Sequence, residues 1–282
     1  NIKAKPSKPS NILLIGDSYV QGMCIEPSLS LASNLSAINM GFFGNGPLIE
    51  YATFREYGHL HSFDYLVWVF TPDNDFYDFS QEIQNGILEN YLSDTKYSQE
   101  LVKNDHLKNE TIKNYFNYDS RIIKEKIKHY HLDIKYIRKT ISKFLKNLSR
   151  QDVNNHKEIS SNMYSQRNLK QIGEIFIDLN QSLKEKNIKF LVVFNAFHPA
   201  YKYAESNNFI THYKLMTQNV KLLKDILRTN KIEVYDFERI INENFNKNNI
   251  DKIFKKVGDS YDHYTIYGNK LLSDEILRVL KL

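Results

Sequence analysis

Four kinds of residue in this chain can together do acyl chemistry. Ile12-Leu13-Leu14-Ile15 runs straight into Gly16-Asp17-Ser18-Tyr19. A serine so placed is a nucleophile when a base and an oxyanion site converge on it, although Asp-Ser is also ordinary turn chemistry. Near the other end of the sequence, His263 is a candidate general base for the serine proton. Asp259 and Asp262 flank it, and either type of side chain can orient an imidazole. Amide donors for a developing oxyanion come from the Ser18 N–H, the Gly44 N–H and the Asn74 side chain, the preorganised set that acyl transfer requires. Asn45, beside Gly44, and His198-Pro199, after an apolar run, are candidates to line a substrate pocket.

The elements that must hold these groups can be read from hydrophobic pattern. The apolar run before Ser18 is that of a strand buried on both faces, the usual state in a parallel sheet. Ser18 then stands past the carboxyl end of that strand, where open α/β sheets place their ligands. Residues 37–43 read as a second strand ending in Gly44-Asn45-Gly46-Pro47, where the backbone can turn tightly. A helix is expected over about 48–57, and Asp64 to Phe70 is a third strand rich in β-branched and aromatic residues. It runs into Thr71-Pro72-Asp73-Asn74-Asp75, read as a loop. After an interruption the rhythm returns. A helix is expected over 168–186, a fourth strand over 188–194, a helix over 206–228, a short fifth strand over 232–236 and a helix over 237–245. Residues 258–263 read as a polar loop, and 267–282 as a closing amphipathic helix. Strands alternating with helices at this spacing predict a parallel sheet with crossover helices.

The interruption, about residues 80–165, is expected to be a helical insertion within one α/β domain spanning 11–282. Ile123, Ile127, Tyr130, Ile134, Ile137, Ile141, Phe144 and Leu148 recur at spacings of three and four, one apolar stripe on a long helix. Its other faces are rich in lysine and arginine. The helix over 121–150 is therefore expected to pack on its neighbours with a solvated basic face, or to offer a surface to a membrane or partner. Nucleic acid is not expected, because no base-reading module or zinc pattern accompanies the charge. The net charge is +5 and there is a single cysteine, Cys24, which excludes an internal disulfide framework. Asp73, Asp75 and Asp78 cluster, but no matching His or Glu pattern accompanies them, so they read as loop polarity rather than a metal site. Lys-Pro-Ser-Lys-Pro-Ser within residues 1–10 has linker composition.

The α/β portions, roughly 10–80 and 188–282, resemble the SGNH or GDSL hydrolases. Gly16-Asp17-Ser18-Tyr19 with Gly22 is similar to the family's nucleophile block, and Asn39-Met40-Gly41-Phe42-Phe43-Gly44 to the block whose last glycine donates to the oxyanion. Asn74-Asp75 follows a strand where the family often has Gly-x-Asn-Asp, and His263 with Gly268 matches the terminal histidine block. The resemblance implies a flavodoxin-like three-layer α/β/α sandwich with a five-stranded parallel sheet. It also implies a serine-dependent ester hydrolase or O-acyltransferase, acting on acetyl or other acyl esters of a small molecule or carbohydrate, with no cofactor. Together with the linker-like start and basic insertion, it makes a cell-envelope carbohydrate substrate and an extracytoplasmic location the expectation. Two departures stand out. Pro72 replaces the usual glycine, and Ser260 occupies the position, three before the histidine, where the family commonly has aspartate. Neighbours in extended chain point to opposite sides, so the expectation leans to Asp259 rather than Asp262; a dyad with His263 held by a carbonyl is the alternative.

Overall fold

The computed structural model describes residues 11–104, 163–203, 207–257 and 260–282. The chain divides into two compact units, residues 1–97 with 163–282, and residues 98–162. The basic segment 121–150 and the start, 1–10, lie outside the described residues. In the second unit the described residues, 98–104, form turns with an exposed Lys103–Glu100 ion pair at 2.6 Å.

The first unit is built on a five-stranded parallel sheet of β1 (Ile12–Gly16), β2 (Ile38–Asn39), β3 (Tyr65–Phe70), β4 (Lys189–Phe194) and β5 (Glu233–Asp236), in the order β2-β1-β3-β4-β5. β1, β3 and β4 are apolar along their length because both of their faces are covered. Leu13, Ile15, Leu66, Trp68, Phe70, Val192 and Phe194 enter one core; Ile12, Leu14, Val67, Val69, Leu191 and Val193 enter the other. The strand period of two thus feeds two helical layers from one sequence.

The first layer holds α3 (Pro47–Tyr57), α4 (Pro72–Glu82), α5 (Gly86–Ser93), α6 (Gln166–Lys184) and part of α8 (Asn207–Thr229). The second holds α1 (Ser18–Gln21), α2 (Leu31–Asn34), α9 (Phe237–Asn244) and α10 (Ile266–Leu280). A short α7 (Pro199–Lys202) follows β4. This is the expected three-layer sandwich. Among the described residues no helix is long and apolar enough to cross a membrane.

The structure departs from the sequence reading in four places. β2 is only two residues long; the Met40 and Phe42 N–H groups still donate to the Leu14 and Gly16 carbonyls at 2.9 and 3.1 Å, while the Asn39 carboxamide bonds the Gly41 N–H and the Val20 carbonyl, both at 2.8 Å. Residues 71–75 are not a loop: α4 begins at Pro72, whose fixed φ suits a first helical position. α5 belongs to the α/β unit rather than an insertion from 80. Its Tyr91 is 1% exposed and its hydroxyl donates to Glu56 at 2.5 Å. Finally, residues read as a polar loop form an antiparallel pair, β6 (Phe254–Val257) with β7 (Ser260–Tyr264).

Candidate active site

Strand order reverses between β1 and β3, since β1 continues to β2 on one side and the chain returns to pair β3 on the other. The two following segments diverge there, leaving the crevice in which doubly wound sheets bind ligands. Ser18 follows β1 into this crevice and Asn74 follows β3.

At the end of β1 the backbone must turn hard. A Cβ at Gly16 would stand 2.4 Å from the Val20 side chain and 2.9 Å from the Val69 carbonyl oxygen, so only glycine fits. Asp17 caps α1, accepting from the Tyr19 N–H at 2.9 Å, and Ser18 is the first helical residue, 8% exposed. The other oxygen of Asp17 accepts from the Asn74 carboxamide at 2.8 Å. Asp17 is fully buried, and desolvation raises its pKa against the opposing pull of the Asn74 and Tyr19 hydrogen bonds.

β7 delivers the imidazole. His263 Nε2 lies 2.8 Å from Ser18 Oγ, and Nδ1 lies 2.5 Å from Asp262 Oδ1. The same Asp262 oxygen accepts from the His263 backbone N–H at 2.8 Å. Hydrogen bonding to His263 holds the Asp262 carboxyl down to about 2. Of the two candidate carboxylates, the one in contact with the ring is Asp262, the less favoured. Asp259 lies outside the described residues, while Asp262, passed over on strand geometry, is the carboxylate on the ring. Its side chain folds back along its own backbone, so alternation of Cβ directions does not keep the two side chains apart. The Cys24 thiol donates to the second Asp262 oxygen at 3.3 Å.

The ring of His263 is also packed. The Tyr19 ring lies 4.8 Å from it and meets Tyr264 edge-on. Tyr264, 1% exposed, donates to the Asn195 carboxamide oxygen and accepts from the Ala196 N–H at 3.3 Å. Asn195 in turn donates to Thr71 Oγ1 at 3.3 Å. This chain of contacts ties β7 to the ends of β4 and β3.

The remaining candidates are distributed around the same rim. Gly44, in the exposed turn after β2, has φ +74, a left-handed conformation that glycine adopts without strain. The adjacent Asn45 N–H donates to the Phe42 carbonyl at 3.3 Å, and Phe43 N–H donates to Gln21 Oε1 at 3.0 Å. Asn74 sits in the first turn of α4. One of its two amide hydrogens serves Asp17, and the other remains as donor capacity. His198 is half-buried near Phe254, its ring 5.7 Å away, and burial lowers its pKa. Its backbone N–H donates to Asp73 at 2.8 Å.

Two of the three acids after β3 have structural duties: Asp73 holds the segment after β4, and Asp75 accepts from the Thr71 N–H at 2.6 Å. Among the described residues, the group of side chains able to share a metal ion is instead Cys24, Asp262 and His263. Sequence reasoning missed the Asp17–Asn74 bond, although both residues lie inside the blocks it singled out. It also missed Tyr264, Asn195 and Thr71, which carry no local signal of partnership.

No family model and no curated protein matches the chain. Solved structures do. A Bacteroides fragilis protein assigned to the acylhydrolases is similar over 99% of this chain and 91% of its own, at 12% identity and a TM-score of 0.50. A Desulfitobacterium hafniense protein assigned to the lipolytic G-D-S-L family is similar over 96% of this chain and 99% of its own, at 10% identity and a TM-score of 0.48. A member of that family from Veillonella parvula covers 96% of this chain and 97% of its own, at 12% identity and a TM-score of 0.47. The likeness to the Bacteroides fragilis structure is one of fold, an α/β sandwich.

Proposed function

We propose that the chain is a serine-dependent esterase or O-acyltransferase with Ser18 as nucleophile. The observation that carries this reading is the Ser18 Oγ–His263 Nε2–Nδ1–Asp262 relay at 2.8 and 2.5 Å, set in the crevice of the sheet. Ser18 Oγ attacks the acyl carbonyl as its proton passes to Nε2. The negative charge that forms on the carbonyl oxygen is taken by the Ser18 N–H, the Gly44 N–H and the Asn74 amide. His263 returns the proton to the departing alkoxide, leaving an acyl ester on Ser18 and a free alcohol. Asp262 stabilises the transient imidazolium and fixes the ring's tautomer. In the second half, water or an acceptor hydroxyl gives its proton to Nε2 and takes the acyl group, and Ser18 recovers its hydrogen.

For substrate, we propose short acyl, in particular acetyl, esters on a carbohydrate. Phe42 and Phe43 precede Gly44, are about half exposed, and lie with ring centroids 4.9 Å apart. Such a surface beside the acyl site suits the apolar face of a sugar ring.

Reaction with a fluorophosphonate tests the nucleophile. Wild type labels on one residue, Ser18→Ala does not, and a sugar acetate competes. Equal labelling of the two proteins, or labelling of neither, overturns the proposal and leaves a scaffold that has the fold without the chemistry.

A further inference from the structure

We propose that Cys24, Asp262 and His263 form a binding site for a thiophilic divalent cation, and that occupation of this site withdraws His263 from its work as a base. Cys24 is the one cysteine of the chain, exposed, in the loop after α1, with φ 65 turning it toward β7. Its Sγ lies 3.3 Å from Asp262 Oδ2, and Asp262 Oδ1 lies 2.5 Å from His263 Nδ1. One donor atom from each residue falls within 4.8 Å of the other two. A thiolate, an imidazole and a carboxylate together are a zinc donor set, borderline-soft, with a fourth position open to water.

The donor atoms stand near, but not at, the spacing of a metal's ligands. Tetrahedral zinc with ordinary bond lengths sets its ligand atoms about 3.3–3.6 Å apart. Sulfur and carboxylate already stand at that spacing. Asp262 Oδ1 and Nδ1 must part by about 0.8 Å, the sulfur and the imidazole nitrogen must close to that spacing from within 4.8 Å, and the Asp262 side chain is 34% exposed. Ions reach the thiol through a cavity of about 730 Å³ lined by Cys24, Ile25, Glu26, Phe245 and Tyr264 among others.

The chemistry makes metal binding and catalysis exclusive. Catalysis requires the ring proton on Nδ1, facing Asp262, and the lone pair on Nε2, facing Ser18. A cation on Nδ1 needs the lone pair there, so the ring proton moves to Nε2. The thiol proton leaves to solvent as the sulfur–metal bond forms, and no electron is transferred. The ring then offers Ser18 a hydrogen instead of taking one. This inhibitory half rests on the proposed esterase reading; the binding half does not.

The experiment uses the full chain and metal alone. Cobalt(II) titrated into wild type and into Ser18→Ala should give one bound ion per chain, with the near-ultraviolet band of a thiolate–cobalt bond and the strong visible bands of a four-coordinate ion. Zinc should displace it. In Cys24→Ser, the thiolate band disappears and affinity drops at least tenfold. Each protein is then labelled with fluorophosphonate with and without zinc, and compared only with itself. Wild type slows at least tenfold and recovers on chelation, while Cys24→Ser is slowed less than twofold. Absence of binding at micromolar metal, a cobalt spectrum without the thiolate band, or equal zinc inhibition of Cys24→Ser overturns the site. If Ser18→Ala binds cobalt but wild type never labels, the esterase reading fails and the metal site stands.

Discussion

The carboxylate of Asp262 meets its neighbour's ring because a short acidic side chain can hydrogen-bond its own local backbone. Once Oδ1 has captured the His263 N–H, Nδ1 of the same residue lies within reach. Ser18 and His263 were legible in the sequence, since each sits in a block whose residue types announce its chemistry. The choice of carboxylate was not, because it depends on a χ rotation that strand periodicity does not describe. Replacing Asp262 by Asn substitutes a donor for an acceptor on Nδ1 and favours the wrong tautomer. The rate of fluorophosphonate labelling in Asp262→Asn should fall on the order of 10²–10⁴-fold, with Asp259→Asn within about threefold of wild type. Asn74 carries a second residue-scale expectation. Asn74→Ala removes the proposed oxyanion donor and takes from the fully buried Asp17 its Asn74 hydrogen bond. Turnover of an aryl acetate should fall about 10²–10³-fold, and the variant should unfold more readily by about 1–3 kcal/mol, as read by denaturant titration.

At the scale of elements, the hairpin is the informative case. Val257 and Ser260 flank a Gly258-Asp259 pair, a two-residue hairpin signal, yet a stretch rich in lysine, aspartate and tyrosine reads as loop when judged on polarity. The large strands were plain because burial on both faces leaves no polar residue to confuse the pattern. β2 was overread because its apolar sequence continues past the two residues that form regular strand, although Met40 and Phe42 still bond to β1. What holds the hairpin to the sheet is a buried hydroxyl that no local pattern reveals. Tyr264→Phe keeps the ring but leaves the Asn195 oxygen and the Ala196 N–H without their bond. The loss should be about 1–3 kcal/mol of stability, with a severalfold drop in labelling rate and little change in KM. Unchanged stability and rate would show that β7 is held by other contacts.

On the scale of the whole α/β unit, a set of carboxylates lies in or beside the two cores. Burial pushes Asp73 up to about 8 and Glu82 up to about 7. Glu50 is also raised, by burial first and then by the charges of Asp17 and Glu82, and Asp75 by burial first and then by Glu50 and Asp17. For a carboxyl whose folded pKa exceeds its unfolded value, the protonated folded form is favoured. Its contribution to stability is complete below the unfolded pKa and is lost as pH rises through the folded one. Asp262, lowered to about 2, works in the opposite direction: its contribution is present above the ordinary aspartate value and is lost as pH falls through about 2. Resistance to denaturant should therefore decline from pH 5 to pH 8.5, and Asp73→Asn, which still presents an oxygen to the His198 N–H, should flatten that slope. An equal slope in the variant would place the titration elsewhere. Such buried acids were invisible in the sequence, where Asp73, Asp75 and Asp78 look like any polar stretch.

The Ser18 and His263 hydroxyl–imidazole contact joins residues 245 apart in sequence. One partner opens the short helix that follows β1 and the other stands on a two-stranded ribbon, a form with little stability of its own. On the proposed esterase reading, reactivity is consequently a property of long-range closure. A thermal or chemical fluctuation that frees the ribbon alone silences the serine while most of the secondary structure persists, so the labelling rate reports the docking of a single appendage rather than the melting of the whole.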